Sequence, residues 1–91
     1  MENIKQLRKK IDSVDEQILR LLSERVKVCE LIGSVKKEHG LSIKDAYRES
    51  EVYTHVRQKA AELALDPAQV ESVYRQIVNM CNSAQELKEK G

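Results

Sequence analysis

The sequence is poor in the residues that build β-sheets and sharp turns. Its 91 residues include no Phe and no Trp, three Tyr, one Pro and three Gly. A β-sandwich or β-barrel needs aromatic and β-branched runs that are broken by frequent turns, so this composition argues against both. A chain of this length holds one hydrophobic core, and we expect a single domain over residues 1–91.

The sequence also lacks an excess of charge of either sign. Sixteen basic and fifteen acidic residues leave a formal net charge of +1. Binding to a nucleic acid or to an anionic membrane needs a cationic field that this balance does not supply. No apolar stretch is long enough to cross a bilayer, and the first five residues do not resemble a secretory signal. We therefore expect a cytoplasmic protein with no nucleic-acid partner and no membrane partner.

Cysteine is scarce, and its spacing carries no motif. Cys29 and Cys81 could pair, but both fall on apolar faces of predicted helices. Small buried thiols in a reducing compartment are the simpler interpretation, and we expect both cysteines to be free. The sequence contains neither a cluster with metal-ligand spacing nor a nucleophile–base pair. We therefore expect no metal and no cofactor.

What the sequence does contain is a long apolar seam, which predicts a first helix over about residues 4–39. Apolar residues recur along it at alternating intervals of three and four: Ile4, Leu7, Ile11, Val14, Ile18, Leu21, Val28, Ile32 and Val35. Asn3 can cap the start of this helix, and Gly40 can end it in a left-handed conformation. Gly33 lies inside it at a cost of roughly 1 kcal/mol relative to Ala, for which a close approach is the one explanation we offer.

Two shorter apolar stripes predict two more helices. The second helix is predicted over about residues 44–64, with either Ser42 or Asp45 as its cap. The third is predicted over about residues 67–88, with Asp66 as its cap and a proline in its first turn. The fold class is therefore all-α, with one long helix and two shorter ones.

The length of the first helix predicts an assembly. It would extend roughly 50 Å at 1.5 Å per residue, whereas a compact chain of this size is only about 30 Å across. The apolar seam runs along the whole helix, and the two shorter helices cannot cover it. We expect an intertwined helical homodimer in which the two long helices lie side by side.

Charged residues interrupt the buried face of the first helix. Arg25 occupies a seam position, and Arg8 and Lys36 border the same seam. Arg8 and Arg25 are about 25 Å apart along one helix, which is too far to serve one small ligand. Antiparallel long helices in a dimer, however, would bring Arg8 of one chain toward Arg25 and Lys36 of the other.

Polar residues also interrupt the two shorter helices. Asp45, Arg48 and Glu49 share one face of the second helix, and Gln85 lies one turn beyond Cys81 on the inward stripe of the third. A cavity that gathers these residues with the cations of the first helix is cationic and contains an amide. Its expected ligand is a small dianion with at least one hydroxyl, since arginine donates two parallel hydrogen bonds to a carboxylate.

Each of these residues also has a purely structural interpretation. An arginine on a seam can set the register of a coiled coil, and Arg8 and Lys36 stand beside other lysines that favour a solvated face. Asp45 can be explained as a helix cap, and Arg48 and Glu49 can be explained as surface charge. The case for a binding site therefore depends on the whole set.

As a set, these positions resemble the all-helical (AroQ-type) chorismate mutase family. The resemblance covers nearly the whole chain without an insertion, and its charged positions carry most of the specificity. The segments that carry it are Leu7–Asp12, Leu21–Arg25, Ile32–Lys36, Asp45–Glu49 and Ile77–Gln85.

The resemblance implies roles for the residues that hold the substrate. Arg25 would bind one carboxylate of chorismate, and Arg8 from the partner chain would bind the other. Lys36 and Gln85 would donate hydrogen bonds to the ether oxygen of the breaking bond. The residues with catalytic roles would therefore be Arg25, Lys36 and Gln85.

It also implies how the ring of the substrate is recognised. Glu49 would accept a hydrogen bond from the ring hydroxyl, with Asp45 and Arg48 lining the site beside it. Cys81 stands where some members of the family have serine, and its thiol would be a much weaker donor to a carboxylate.

The implied reaction is the intramolecular rearrangement of chorismate to prephenate. It needs no protein nucleophile, only a folded substrate conformation and donors for the charge on the ether oxygen. Two alternatives stay open. One is an isochorismate-pyruvate lyase on the same fold, against which the Asp45–Glu49 segment argues. The other is a non-catalytic helical dimerisation or regulatory module, in which Arg25 only sets the register.

Overall fold

The computed structural model describes residues 3–90, apart from the side chains of residues 89 and 90. It contains three helices, α1 (Ile4–His39), α2 (Ala46–Glu62) and α3 (Pro67–Lys90). No strand occurs within residues 3–90, and the predicted all-α class is confirmed. Three residues of the predicted domain lie outside the described residues: Met1, Glu2 and Gly91.

Both ends of α1 fall at the predicted residues because both caps form. The Asn3 side chain accepts a hydrogen bond from the backbone N–H of Gln6 at 2.9 Å, and the Gln6 side chain accepts one from the backbone N–H of Asn3 at 3.1 Å. This reciprocal pair is a capping box. At the other end, Gly40 adopts φ 64°, which is the left-handed conformation that ends many helices.

The other two helices differ slightly from the prediction at their ends. Asp45, not Ser42, caps α2, and its carboxylate accepts a hydrogen bond from the backbone N–H of Arg48 at 3.0 Å. The helix ends at Glu62 rather than near residue 64, because Ala64 adopts a left-handed φ of 60°. Asp66 caps α3 as predicted by accepting hydrogen bonds from the two backbone N–H groups at residues 68 and 69.

Helix α3 connects the other two helices of the chain. Among the described residues α3 packs against both α1 and α2, whereas α1 and α2 do not pack against each other. Glu71 of α3 pairs with Arg57 of α2 at 3.0 Å and with Arg75 at 2.7 Å. The Arg75 guanidinium lies 4.5 Å from the centre of the Tyr53 ring, a favourable cation–π distance. These contacts connect α2 to α3 at the surface.

The two cysteines correct one prediction. Cys29 and Cys81 form a disulfide between α1 and α3, with 5.3 Å between their Cα atoms. Cys29 is buried as expected, but the expectation of free thiols is wrong, because the helix packing places the two residues within bridging distance. Free thiols were one basis for expecting a cytoplasmic protein, and that basis is lost. None of the helices within residues 3–90 combines the length and apolarity needed to cross a membrane.

The amino-terminal half of α1 has no cover within the chain. Every residue from 3 to 21 is exposed, including seam residues such as Ile11 (59%) and Leu21 (64%). The subunit measures 58 × 27 × 14 Å and has a radius of gyration of 16.4 Å, whereas a compact chain of this length has about 12 Å. As predicted, α2 and α3 do not cover the seam.

Candidate functional site

A cavity of about 420 Å³ lies between the carboxyl-terminal half of α1, the start of α2 and α3. Seven of the eight predicted site residues line it: Arg25, Lys36, Asp45, Arg48, Glu49, Cys81 and Gln85. Arg8 does not line it and stands about 25 Å from Arg25 along α1. The structure therefore brings together every predicted site residue except the one expected to come from a partner chain. Their chemical roles stay predictions.

The α1 wall of the cavity supplies two half-buried cations. The Nη1 atom of Arg25 lies 3.9 Å from the sulfur of Cys29, one turn further along the helix. The ammonium of Lys36 donates a hydrogen bond to the backbone carbonyl of Ile43 at 2.6 Å. This bond ties the loop between α1 and α2 to the rim of the cavity. Since an ammonium has three donors, Lys36 keeps two for a ligand.

The α2 wall supplies one cation and two carboxylates. Asp45 both caps the helix and lines the cavity, so its structural and its functional interpretation are compatible. Arg48 is exposed and pairs with Glu51 at 3.4 Å, a surface contact of little energetic value. Glu49 is half-buried, and its carboxylate is partly withdrawn from solvent.

The α3 wall supplies the most buried polar side chain of the site. Gln85 is only 4% exposed, and its Nε2 atom donates to the sulfur of Cys81 at 3.2 Å. Two buried side-chain oxygens have no hydrogen-bond partner within the part of the chain that the structure describes, Glu49 Oε2 and Gln85 Oε1. Buried polar atoms in folded proteins are nearly always paired. That both exceptions line one cavity indicates a site built for a polar ligand.

Gly33 explains how α1 and α3 come close enough to form this site. A Cβ atom on Gly33 would lie 2.8 Å from the Cα of Gln85, closer than real Cβ contacts allow. The pairs Cys29–Cys81 and Gly33–Gln85 advance in the same direction along both helices, so α1 and α3 run parallel here. The close approach anticipated for Gly33 is therefore confirmed, and the residue it admits is Gln85.

Sequence reasoning missed two polar groups of the cavity. Asn82 lines it three residues before Gln85, on the neighbouring side of the same helical turn. The carbonyl of Ile43 takes part through its bond with Lys36. The spacing from Gln85 was a signal that could have found Asn82. A backbone carbonyl in a loop leaves no signal in the sequence.

The fold and the cavity define a class of protein, a small helical domain with a polar cavity lined by cations. The lining side chains supply three cations and two carboxylates beside the buried amide. Residues 7–86 match the family described as chorismate mutase type II, and the chain belongs to that family. The predicted resemblance is confirmed.

Individual relatives agree with this family. The chain is 37% identical to the bifunctional chorismate mutase/prephenate dehydratase of Aquifex aeolicus, over 91% of this chain and 24% of the relative. It is 33% identical to the chorismate mutase of Methanocaldococcus jannaschii, over 72% of this chain and 67% of the relative. This chain thus spans about a quarter of the length of the Aquifex protein.

A solved structure resembles the fold over nearly the whole length of both chains. It is a conserved hypothetical protein from Pyrococcus furiosus, which superposes with a TM-score of 0.70 at 34% sequence identity. The alignment covers 90% of this chain and 93% of the Pyrococcus chain.

Proposed function

We propose that this protein is a chorismate mutase, an isomerase that converts chorismate to prephenate in the biosynthesis of phenylalanine and tyrosine. The observation that carries the proposal is the pair of unpartnered buried oxygens, on Glu49 and Gln85, in a cavity lined by cations. A small dianion with a hydroxyl group suits this lining, because its anionic groups would pair with the cations and its hydroxyl would donate to the Glu49 oxygen. The membership of the chain in the chorismate mutase type II family supports chorismate as that ligand.

In the proposed mechanism the cavity holds a folded substrate and stabilises its developing charge. Arg25 binds a carboxylate, and Glu49 accepts a hydrogen bond from the ring hydroxyl. As the C–O bond breaks and the C–C bond forms, negative charge grows on the ether oxygen, to which Lys36 and Gln85 donate. Gln85 has a second N–H besides the one directed at Cys81, so it can donate without moving. Fixed donors in a buried site are effective because they need no reorganisation.

The charge of the cavity supports a contribution from a second chain. Three cations and two carboxylates give one subunit a formal sum of +1 at the site, whereas chorismate carries two negative charges. An additional arginine would balance the substrate. Arg8 is exposed on the uncovered half of α1 and is the residue we assign to this role, in the cavity of the partner.

The exposed seam supports a homodimer of antiparallel long helices. If Arg8 of one chain lies opposite Arg25 of the other, the two-fold axis crosses α1 midway between them, near residues 16 and 17. The seam residues closest to that axis are Val14 and Ile18, which are 51% and 49% exposed in one chain. Pairing would bury both, which removes apolar surface from water.

A cytoplasmic location stays part of this proposal. The disulfide removes the argument from free thiols, and the location now depends on the class of enzyme alone.

The deciding experiment is an assay of the purified protein with chorismate and, separately, with isochorismate. Prephenate is expected from chorismate, with its formation greatly reduced in Arg25→Ala and unchanged in Arg20→Ala, an exposed arginine on the same helix outside the cavity. Pyruvate and salicylate from isochorismate would favour the lyase instead. No turnover of either substrate by a folded dimer, with a dimer that Arg25→Leu leaves intact or tightens, would favour the non-catalytic module.

A further inference from the structure

The cavity contains a covalent link that the proposed reaction does not use. The disulfide between Cys29 and Cys81 joins α1 to α3, and both residues line the cavity. Cys81 stands where some members of the family have serine, so the link is not part of the pattern that carries the family resemblance. Its place in the site calls for a separate account.

Each sulfur of the disulfide contacts one residue with a proposed role in the reaction. Cys29 Sγ lies 3.9 Å from the Nη1 atom of Arg25, and Cys81 Sγ accepts from Nε2 of Gln85 at 3.2 Å. Both contacts span four residues, one turn of helix. The disulfide therefore connects the turn of α1 that carries Arg25 to the turn of α3 that carries Gln85.

The disulfide is the one covalent link between α1 and α3 within the described residues, and few buried side chains of α1 accompany it. The buried residues of α1 are Cys29 and Gly33, and glycine has no side chain to interlock with α3. Cys29 thus provides the one buried side chain of α1 within the described residues. At the cavity, the cross-link therefore constrains the position of α1 relative to α3.

We propose that the Cys29–Cys81 disulfide is a positioning element of the active site, which sets Arg25 and Gln85 at the separation that the reaction needs. This inference rests on the proposed function. The disulfide touches no reacting atom in this account and acts through the two residues beside it. Its reduction is therefore expected to change catalysis while the three helices remain folded.

The reduction itself is a balanced exchange with a small dithiol. A thiolate of the reagent attacks Sγ of Cys81, which is half-buried, whereas Cys29 is only 4% exposed. The S–S bond breaks, and Cys29 leaves as a thiolate that takes up a proton. The second thiol of the reagent then displaces Cys81, and the reagent leaves as a cyclic disulfide. Two electrons and two protons have passed to the protein. A small disulfide such as oxidised glutathione reverses the exchange.

The reduced site is expected to be wider. Two thiols cannot remain at bonding distance, since non-bonded heavy atoms separate to about 3.5–4 Å. The turn of α3 with Gln85 then shifts relative to the turn of α1 with Arg25. Small displacements of positioned groups are costly in catalysis, and a fall in kcat of about tenfold with a rise in KM is expected.

The test compares the oxidised and the reduced protein in the same assay with chorismate. Thiols are counted by titration in both forms, and circular dichroism melts define a temperature at which both are folded. The double variant Cys29→Ser/Cys81→Ser is the matched control, because it should behave as the reduced protein and ignore the reductant. The same pair of measurements is repeated in Gln85→Ala, where reduction should raise KM but lower kcat no further.

Several results would overturn the inference. Equal kcat and KM in the oxidised and reduced wild type would do so while leaving the proposed function intact. An equal further loss of kcat in Gln85→Ala would show that the disulfide does not act through that side chain. Two titratable thiols after treatment with oxidised glutathione would show that the cross-link does not form. No turnover by either form would overturn the proposed function, and this inference with it.

Discussion

The two halves of α1 share one heptad pattern but differ in how much of each is buried by the rest of the chain. Residues 3–21 are exposed along their whole length. Beyond them, Cys29 and Gly33 are buried against α3, and Arg25 and Lys36 line the cavity. The periodicity of a helix predicts that one face will be covered, but it does not say by what. In this protein the chain itself covers one side of the carboxyl-terminal half, at Cys29 and Gly33. Seam residues such as Val28 (53% exposed) and Ile32 (42% exposed) stay open together with the amino-terminal half, and our proposal assigns their cover to a second copy.

The largest effect is expected from a charge placed on the exposed amino-terminal half of α1. Ile18→Glu places a charge on the seam beside the proposed two-fold axis, and the symmetry introduces it twice. Sedimentation should show a monomer at micromolar concentration. Activity should fall by about 10³-fold, because each cavity loses the partner's Arg8 together with its cover. Ser13→Glu, one residue off the seam, is the control and should stay dimeric and active. A fully active monomer would refute the assignment of Arg8.

The next largest effect is expected at the cavity, where α3 packs against the carboxyl-terminal half of α1. Gln85→Glu replaces a donor by a carboxylate, which at neutral pH can only accept. We expect activity at pH 7.5 to fall by about 10²–10³-fold and to recover as the pH is lowered, because burial raises the pKa of a carboxyl at this position and the protonated form donates. Gln85→Ala should lose activity at every pH. An unchanged pH profile for Gln85→Glu would contradict the role of Gln85 as a donor to the ether oxygen.

A smaller effect is expected where α1 and α3 touch. Gly33→Ala raises helix propensity by about 1 kcal/mol, yet its Cβ would meet the backbone of Gln85 at 2.8 Å. The helices must separate, so we expect a lower Tm and a loss of about tenfold in kcat/KM. Ser34→Ala on the same turn is the control and should change neither quantity strongly. A stabilised and fully active Gly33→Ala would mean that α3 can shift without cost to the site.

The smallest effect is expected outside the cavity, where α2 meets α3. A hydrogen bond from Arg75, helped by Arg57, lowers the pKa of Glu71. A carboxyl with a lowered pKa in the folded state stabilises the protein above its ordinary pKa, and this contribution is lost as the pH falls through the folded-state pKa. Glu71→Gln should therefore lower Tm slightly at pH 7 and not at pH 3, with kcat/KM unchanged. A pH-independent difference in Tm would argue against the ionic contribution.

Local signals in the sequence were enough for most of the fold. Both ends of α1 could be predicted because Asn3 and Gly40 have side-chain and backbone properties that act within one turn. The end of α2 differs from the prediction, because Ala64 takes a left-handed conformation that nothing in the sequence indicates. The grouping of Arg48 and Glu49 with the residues of α1 followed from helical spacing together with the family resemblance.

The pairing of the cysteines could not be predicted in the same way. Cys29 and Cys81 are separated by 52 residues, and nothing in their spacing fixes how α3 crosses α1. The expectation of free thiols depended on general tendencies of cysteine, whereas the outcome depends on a packing contact. The proposed homodimer is harder still to predict from the sequence, because a surface that one chain leaves exposed does not specify the geometry of its cover.

The disulfide also divides the chain topologically. Residues 29–81 form a closed covalent ring, which contains Lys36, Asp45 and Glu49, while Arg25 and Gln85 stand just outside the two ends of the ring. In the chain-entropy account such a ring restricts the unfolded ensemble and is worth roughly 4 kcal/mol for a loop of this length. The helical arm that precedes it gains nothing from this restriction. The chain thus combines a closed covalent ring with a helical segment that lies outside the ring. This segment can unfold, or pair with a second chain, without opening the ring.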